Sequence, residues 1–220
     1  MWGLLMRIAV IGAGVLGSLY AARLAAAGQT VTLLARGDRL IQLQQGPNLI
    51  LNEYNDARAA ATIAVVATLL PDADYDLALL VVRADQIDAL LPALSANRRV
   101  KTFLFLHNRA AARAALAQAV GPERLLLGFP GAGGWLDGAT VRHRLIPEQP
   151  TTPGEPDGSL TPRLRQIAKG LESAGFTAAL SRRCPPQPSE EIYQAQPDSQ
   201  SRFRPTHKTT YQPQGVTPCK

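Results

Sequence analysis

The sequence predicts an α/β fold, a doubly wound and mainly parallel sheet, and three observations carry that prediction. An apolar run, RIAVIGAGVLG over residues 7–17, ends in glycines at GxGxxG spacing. A second run, TVTLLAR over 30–36, follows an alanine-rich stretch of helical character. Beyond it, short apolar runs alternate with segments at helical spacing, as an open parallel sheet requires.

The first run reads as a strand delivered into a tight turn. Gly12 allows the turn, Gly14 lets the backbone approach a pyrophosphate, and Gly17 lets the following helix sit close to the sheet. With Ala13, Val15 and Leu16 they form a candidate dinucleotide grip, in which phosphates meet free N–H groups at a helix N-terminus. A GxGxxG alone is a weak signal, but this one follows a strand, opens a helix and begins a βαβ unit. The pattern is that of a Rossmann-type domain.

Residues 15–27 read as the helix of that unit, closed by Gly28. The second strand ends in Ala35, Arg36 and Gly37, where an NAD site usually carries an Asp or Glu for the ribose 2′-hydroxyl. Arg36 is suited instead to pair with a 2′-phosphate through charge-assisted hydrogen bonds. NADP is therefore the expected cofactor. Arg39, one helical turn on, is a candidate second positive charge.

Further along, residues 39–45 read as a short helix and 62–66 as a strand. DLALLVV, residues 76–82, has the continuous apolar character of a central strand buried on both faces. Ile87, Leu90, Leu91 and Leu94 mark one helical face, with Pro92 as a kink point. TFLFL (102–106) is the next strand, followed by a helix over 109–119 and a strand over 124–128. Gly128–Gly134 reads as a small-residue loop beyond a strand end, placed to line a substrate pocket. ATVRHRL (139–145) looks like an added strand with His143 on the surface, and TTPG (151–154) like a turn. Leu164, Ile167, Ala168 and Leu171 give a last helical face, opened near Pro162 and closed by Gly175, before a short strand over 176–181.

Composition fits one buried core and a little more: 220 residues, 46% hydrophobic. The chain carries a net charge of +6, but half of that excess lies from Arg182 onward, so no nucleic-acid partner is expected. Arg98, Arg99 and Lys101 read as a solvated loop. Both cysteines, Cys184 and Cys219, lie in the tail without zinc or disulfide spacing. Ala25–Ala27 imitate a signal-peptide cleavage site, yet Arg7 interrupts the apolar stretch and no basic segment precedes it. No apolar run is long enough to span a bilayer, and the cytoplasm is the expected compartment. Met6 looks like a natural start, making residues 1–5 an upstream extension.

RIAVIGAGVLG with VTLLAR, then DLALLVVRADQ, FLHN and a strand ending in LLLGFPGAGG together resemble the N-terminal NADP-binding domain of the ketopantoate reductase (2-dehydropantoate 2-reductase) family, over about residues 6–181. The resemblance implies NADPH-dependent reduction of a small α-keto acid, 2-dehydropantoate to pantoate in pantothenate biosynthesis, in a cleft between a Rossmann-type and a helical domain. It also implies site residues. A family lysine on the cofactor or substrate side of the cleft is here Arg83, which keeps the charge but changes a point ammonium into a planar fork. A family asparagine near nicotinamide and substrate corresponds to Asn108, which equally suits the N-cap of the following helix. Its neighbours depart from the family pattern, with His107 for glutamine and Arg109 for glycine. His107 is a candidate acid or base at the cleft, but a lone histidine at a strand end reads first as a hydrogen-bonded neighbour.

After Ser181 the composition turns to Pro, Gln, Ser and Thr without period, too poor in apolar surface to offset chain entropy. The sequence thus divides into a dinucleotide-binding domain, 1–181, and a disordered or frame-shifted tail, 182–220. No segment of the tail matches the family's helical domain with its proton-donating lysine, and the body's lysines are only Lys101 and Lys169. The catalytic residues stay unassigned. Two readings follow: a keto-acid reductase of this family, incomplete here, or a non-catalytic NADP-binding remnant. A basic nucleic-acid binder rests on pI alone and ranks last. Apolar surface left where a helical half docks is a candidate cause of a homodimer or of aggregation.

Overall fold

The computed structural model describes residues 5–45, 49–53, 58–106, 113–146 and 148–182. Its organising strand is β1 (Arg7–Ile11), whose last four residues are all buried. It feeds helix α1 (Val15–Ala26), and the chain returns in parallel as β2 (Thr30–Leu34), completing the βαβ unit that the glycine spacing predicts. Gly28, at φ +85°, takes the left-handed position just beyond α1.

The main sheet has seven strands, in the order β11-β8-β7-β6-β1-β2-β5. These are β5 (Ala64–Val66), β6 (Leu77–Leu80), β7 (Phe103–Leu106), β8 (Leu125–Phe129) and β11 (Thr152–Gly154), with β1 and β2. All neighbours pair in parallel except β11, which runs antiparallel to β8. DLALLVV supplies the middle strand of the seven, and every residue of β6 and β7 is buried, as helices on both faces demand. Winding proceeds outward from β1 through β2 to β5, then reverses to β6 on the other flank of β1. Open α/β sheets bind ligands at such a reversal.

Alternate residues of each strand feed two cores. Ile8, Val10, Leu33, Leu79 and Leu104 pack with α1 and with α5 (Pro162–Ser173) on one face. Ala9, Ile11, Leu80, Phe103 and Phe105 pack on the other with α3 (Leu91–Ala96) and α4 (Arg113–Val120).

A second, four-stranded sheet in the order β4-β3-β10-β9 covers the outer side of α1. It comprises β3 (Leu49–Glu53), β4 (Arg58–Ala61), β9 (Ala132–Asp137) and β10 (Thr140–Leu145). Its Leu49, Leu51 and Val141 join the α1 core. Lying between two sheets, α1 has little solvent face, and Gly17 to Ala22 are buried without interruption. A helix that is apolar nearly all round is what this burial needs.

Several expectations change. Strands β3 and β4 are additions to the sequence reading. The Ile87–Leu94 face is a short 3-10 turn at Ala84–Gln86 followed by α3, with Pro92 in the first turn of α3 instead of kinking a longer helix. Gly128–Gly134 is no loop: β8 runs to Phe129, β9 starts at Ala132, and a Cβ on Gly131 would lie 2.5 Å from the backbone of Gln149 and Thr151. That segment is closed by β11, into which the expected turn TTPG is drawn as a strand. The final strand reduces to isolated bridges, Thr151 to Ala178 and Gly154 to Ser181. The second helix occupies α2 (Gly37–Leu43), two residues earlier than its spacing predicts. Residues 109–112, where the fourth helix is expected to start, and the tail beyond Arg182 with both cysteines, lie outside the described residues.

Candidate dinucleotide site

Register fixes the site. Ile11 pairs with Leu34 on one side and Leu80 on the other, so the glycine turn, Ala35–Arg36 and Val81–Arg83 leave the sheet along one edge. The three glycines then do three different things. Gly12 sits at φ +109° and donates its N–H to the Leu34 carbonyl at 3.2 Å; a Cβ there would stand 2.5 Å from the Val81 carbonyl oxygen. On Gly17 a Cβ would meet the Gly12 carbonyl oxygen at 1.7 Å, so α1 rests directly on the turn. Gly14 is exposed, and a Cβ on it would have nothing within 4 Å. Among the described residues no contact requires glycine at that position, and the space above it is open.

Gly14 is also the N-cap residue of α1, and no side chain caps the helix. The first-turn N–H groups of Val15 and Leu16, both half-buried, open towards the same edge. A phosphate is the natural partner of such an uncapped end.

Arg36, the N-cap of α2, follows β2 with an exposed side chain that has no hydrogen-bond or ion-pair partner among the described residues. Arg39 behaves differently from the expected second charge. Its guanidinium is turned inward, donating from Nε to the Ala13 carbonyl at 3.1 Å and reaching the Ser18 hydroxyl at 3.4 Å and Gln42 Oε1 at 2.5 Å. Ser18, fully buried, donates to the same Ala13 carbonyl at 3.2 Å. Sequence reasoning passed over Ser18, although a serine directly after Gly17 in an otherwise apolar helix start is a visible signal.

Arg83 lies beyond β6 on the same edge, 76% exposed in its side chain, with its fork spent on Asp85 at 2.6 and 3.1 Å. Asn108, with His107 and Arg109, lies outside the described residues. Lys101 pairs with Asp76 at 2.7 Å at the opposite edge of the sheet, and Lys169 is exposed on α5. Neither lysine reaches the glycine turn.

His143, expected on the surface, is 4% exposed and faces α1. Its Nε2 lies 3.5 Å from Arg23, and its Nδ1 is buried without a hydrogen-bond partner among the described residues. These residues, with Glu53 and several alanines, line a cleft of about 460 Å³ at the C-terminal end of α1. A twelve-residue helix puts that cleft ~18 Å from the glycine turn, so it is separate from the dinucleotide edge. Among the described residues no group of three His, Cys, Asp or Glu side chains is placed to hold a metal ion. No helix among them is long and apolar enough to cross a membrane.

Comparison with known proteins agrees with this fold. The family model described as ketopantoate reductase PanE/ApbA matches residues 8–157. Among solved structures, the 2-dehydropantoate 2-reductase of Geobacter metallireducens GS-15 is 22% identical with a TM-score of 0.69, covering 80% of this chain and 58% of that one. A PanE/ApbA family ketopantoate reductase of Ralstonia eutropha JMP134 is 20% identical with a TM-score of 0.68, covering 81% and 57%. D-mandelate dehydrogenase, in a ternary structure with NADH and anilino(oxo)acetate, is 22% identical with a TM-score of 0.67, covering 80% and 57%. The chain thus spans less than two thirds of the length of these relatives, and the likeness at such identity is one of fold. None of the curated proteins matches the chain in sequence.

Proposed function

Because the chain belongs to the ketopantoate reductase family, we propose that it binds NADPH on the glycine turn and serves the reduction of a small α-keto acid, with 2-dehydropantoate as the first substrate to test. The observation that carries the cofactor choice is Arg36, an exposed guanidinium without a partner among the described residues at the end of β2, where a carboxylate would repel a 2′-phosphate. The fold alone does not choose, since the related D-mandelate dehydrogenase structure holds NADH.

In this reading the residues divide the cofactor between them. Gly12 and Gly17 hold the turn against β6 and α1, Gly14 leaves room for the pyrophosphate, and the N–H groups of the turn and of Val15 and Leu16 receive its oxygens. Ala13 carries the peptide between them. Arg36 pairs with the 2′-phosphate, and the family resemblance assigns Arg83 and Asn108 to the nicotinamide and substrate end. When bound, NADPH supplies a hydride to the keto carbon. The developing alkoxide also needs a proton and charge stabilisation, and no described lysine lies at this edge to supply them. That observation favours a second reading, cofactor binding without turnover.

Titrating the protein with NADPH and with NADH, and following NADPH oxidation with 2-dehydropantoate, tests both. We expect NADPH to bind at least about tenfold more tightly than NADH, and Arg36→Ala to erase the difference. Equal affinity in the unmodified chain would overturn the NADP assignment. Tight NADPH binding with no oxidation would establish the second reading over the first.

A further inference from the structure

We propose that Arg39 is a positioning residue for the dinucleotide, acting through the Ala13–Gly14 peptide and not through the 2′-phosphate; the inference rests on the glycine turn being the dinucleotide site. Arg39 lies three residues after Arg36, where its charge alone would make it a second phosphate ligand. The structure commits its fork elsewhere. One nitrogen donates to the Ala13 carbonyl at 3.1 Å, one reaches Ser18 Oγ at 3.4 Å, and one donates to Gln42 Oε1 at 2.5 Å. Since Ser18 Oγ itself donates to the Ala13 carbonyl at 3.2 Å, that oxygen takes two donors and cannot turn without breaking both.

In a trans peptide the carbonyl and the following N–H point in opposite directions. Drawing the Ala13 oxygen inward to Arg39 and Ser18 therefore aims the Gly14 N–H outward. That N–H has no partner among the described residues, and it faces the side where a Cβ on Gly14 would meet nothing within 4 Å. The anion-facing donor of the turn is thus set by a side chain on the next helix. The same contact ties α2 to the turn, holding Arg36 and the pyrophosphate grip at a fixed separation. Arg36 reads the 2′-phosphate and Arg39 sets the turn.

Three probes distinguish these roles: NADPH, NADH, which lacks the 2′-phosphate, and 2′-AMP, which has that phosphate but no pyrophosphate. Arg39→Ala is expected to weaken NADPH and NADH by the same factor, about tenfold, and to leave 2′-AMP within about twofold. Arg39→Lys, which keeps the charge but not the three-way fork, is expected to show the same pattern. Ser18→Ala is expected to weaken both dinucleotides, and the double variant to depart from the product of the single effects because both side chains act on one carbonyl. Loss of NADPH and 2′-AMP together with NADH unchanged would overturn the proposal in favour of direct phosphate contact. No change with any probe would overturn it outright. If the unmodified chain binds none of the three, the dinucleotide reading itself falls and this role falls with it.

Discussion

Tyr20 and Thr151, 131 residues apart in the chain, meet at 2.7 Å between their hydroxyl oxygens in the buried core. Thr151 Oγ1 also accepts the Gly131 N–H at 3.1 Å, and the Tyr20 ring stacks on Phe176 with centroids 4.3 Å apart. One side chain of α1 therefore ties the helix behind the glycine turn to the β8–β9 link, to the start of β11 and to the segment after α5. The stiffness of the turn depends on that tie as well as on the glycines.

Removing only the hydroxyl should show its worth. Tyr20→Phe keeps the stack and leaves Thr151 paired with Gly131, so urea unfolding is expected to report a loss of about 1–2 kcal/mol. Tyr20→Ala, which opens a cavity, should lose about 3–5 kcal/mol. Burial pushes the Tyr20 hydroxyl up to about 12, against the smaller opposing effect of the Thr151 hydrogen bond. Its native value is raised above the ordinary 10, so its contribution is complete below pH 10 and is lost as pH rises towards about 12. Stability in that alkaline range should fall less steeply in Tyr20→Phe; equal slopes would refute the assignment.

His143 governs the acid side of neutrality. Burial first, and the Arg23 guanidinium second, push its pKa below the ordinary 6.5, outweighing the Glu53 carboxylate on the same cleft. The unfolded chain then binds the proton more readily than the native one. Stability is complete above about pH 6.5 and declines as pH falls through the depressed native value, by no more than ~1.4 kcal/mol per pH unit for one proton. His143→Gln should flatten this decline, and a decline unchanged in the variant would refute the assignment to His143.

The same histidine shows what was legible in the sequence. In ATVRHRL, Val141 and His143 share one parity, and alternation alone puts them on one face; only the missing knowledge that α1 covers that face made His143 look exposed. Strands β1, β6 and β7 were readable because burial on both faces writes an unbroken apolar run. Strands β3 and β4 were not, because LILNE and RAAA are short, β3 joins the sheet only through a long-range parallel pairing with β10, and β4 pairs antiparallel with β3 at the sheet's edge. Gly128 and Gly134 read as loop residues for a related reason. A Cβ on Gly134 would lie 2.0 Å from the Arg142 carbonyl oxygen, so glycine there marks close backbone approach within a sheet. At the site, the glycines and Arg36 follow from spacing, whereas the inward turn of Arg39 is a matter of three dimensions.

Glu155 and Arg163 anchor the start of α5. The Glu155 carboxylate accepts from Arg163 Nε at 2.8 Å and from a terminal guanidinium nitrogen at 2.5 Å, and from Thr161 Oγ1 at 2.5 Å. Thr161 in turn caps the helix by accepting the Leu164 N–H at 3.3 Å. Thr161→Ala should lose about 1 kcal/mol of helix capping, and Arg163→Ala about 2–4 kcal/mol by leaving a buried carboxylate with two N–H donors fewer. Burial alone would raise the Glu155 carboxyl, but Arg163 and Thr161 outweigh it and hold it below 4.5, so this contribution is present above that pH and lost as pH falls through the native value. Acid unfolding monitored by circular dichroism should therefore begin at higher pH in Arg163→Ala, and an unshifted midpoint would contradict the pairing.

Gly14 and Gly17 separate what the turn does for the fold from what it does for a ligand. An alanine at 17 would place its Cβ 1.7 Å from the Gly12 carbonyl oxygen, so α1 must lift off the turn. Gly17→Ala should lose more than about 3 kcal/mol of stability, and dinucleotide binding with it. At Gly14, φ is −73° and a Cβ meets nothing within 4 Å, so alanine there should be tolerated at about 1 kcal/mol or less, the difference between glycine and alanine as helix caps. If the space above Gly14 is where a pyrophosphate lies, the added methyl must occupy it. Gly14→Ala should then keep the thermal midpoint within a few degrees while weakening NADPH by more than about tenfold. A stable Gly14→Ala protein that binds NADPH as well as the parent chain would mean that the space is structural slack, and that the phosphates, if bound, lie elsewhere along the edge.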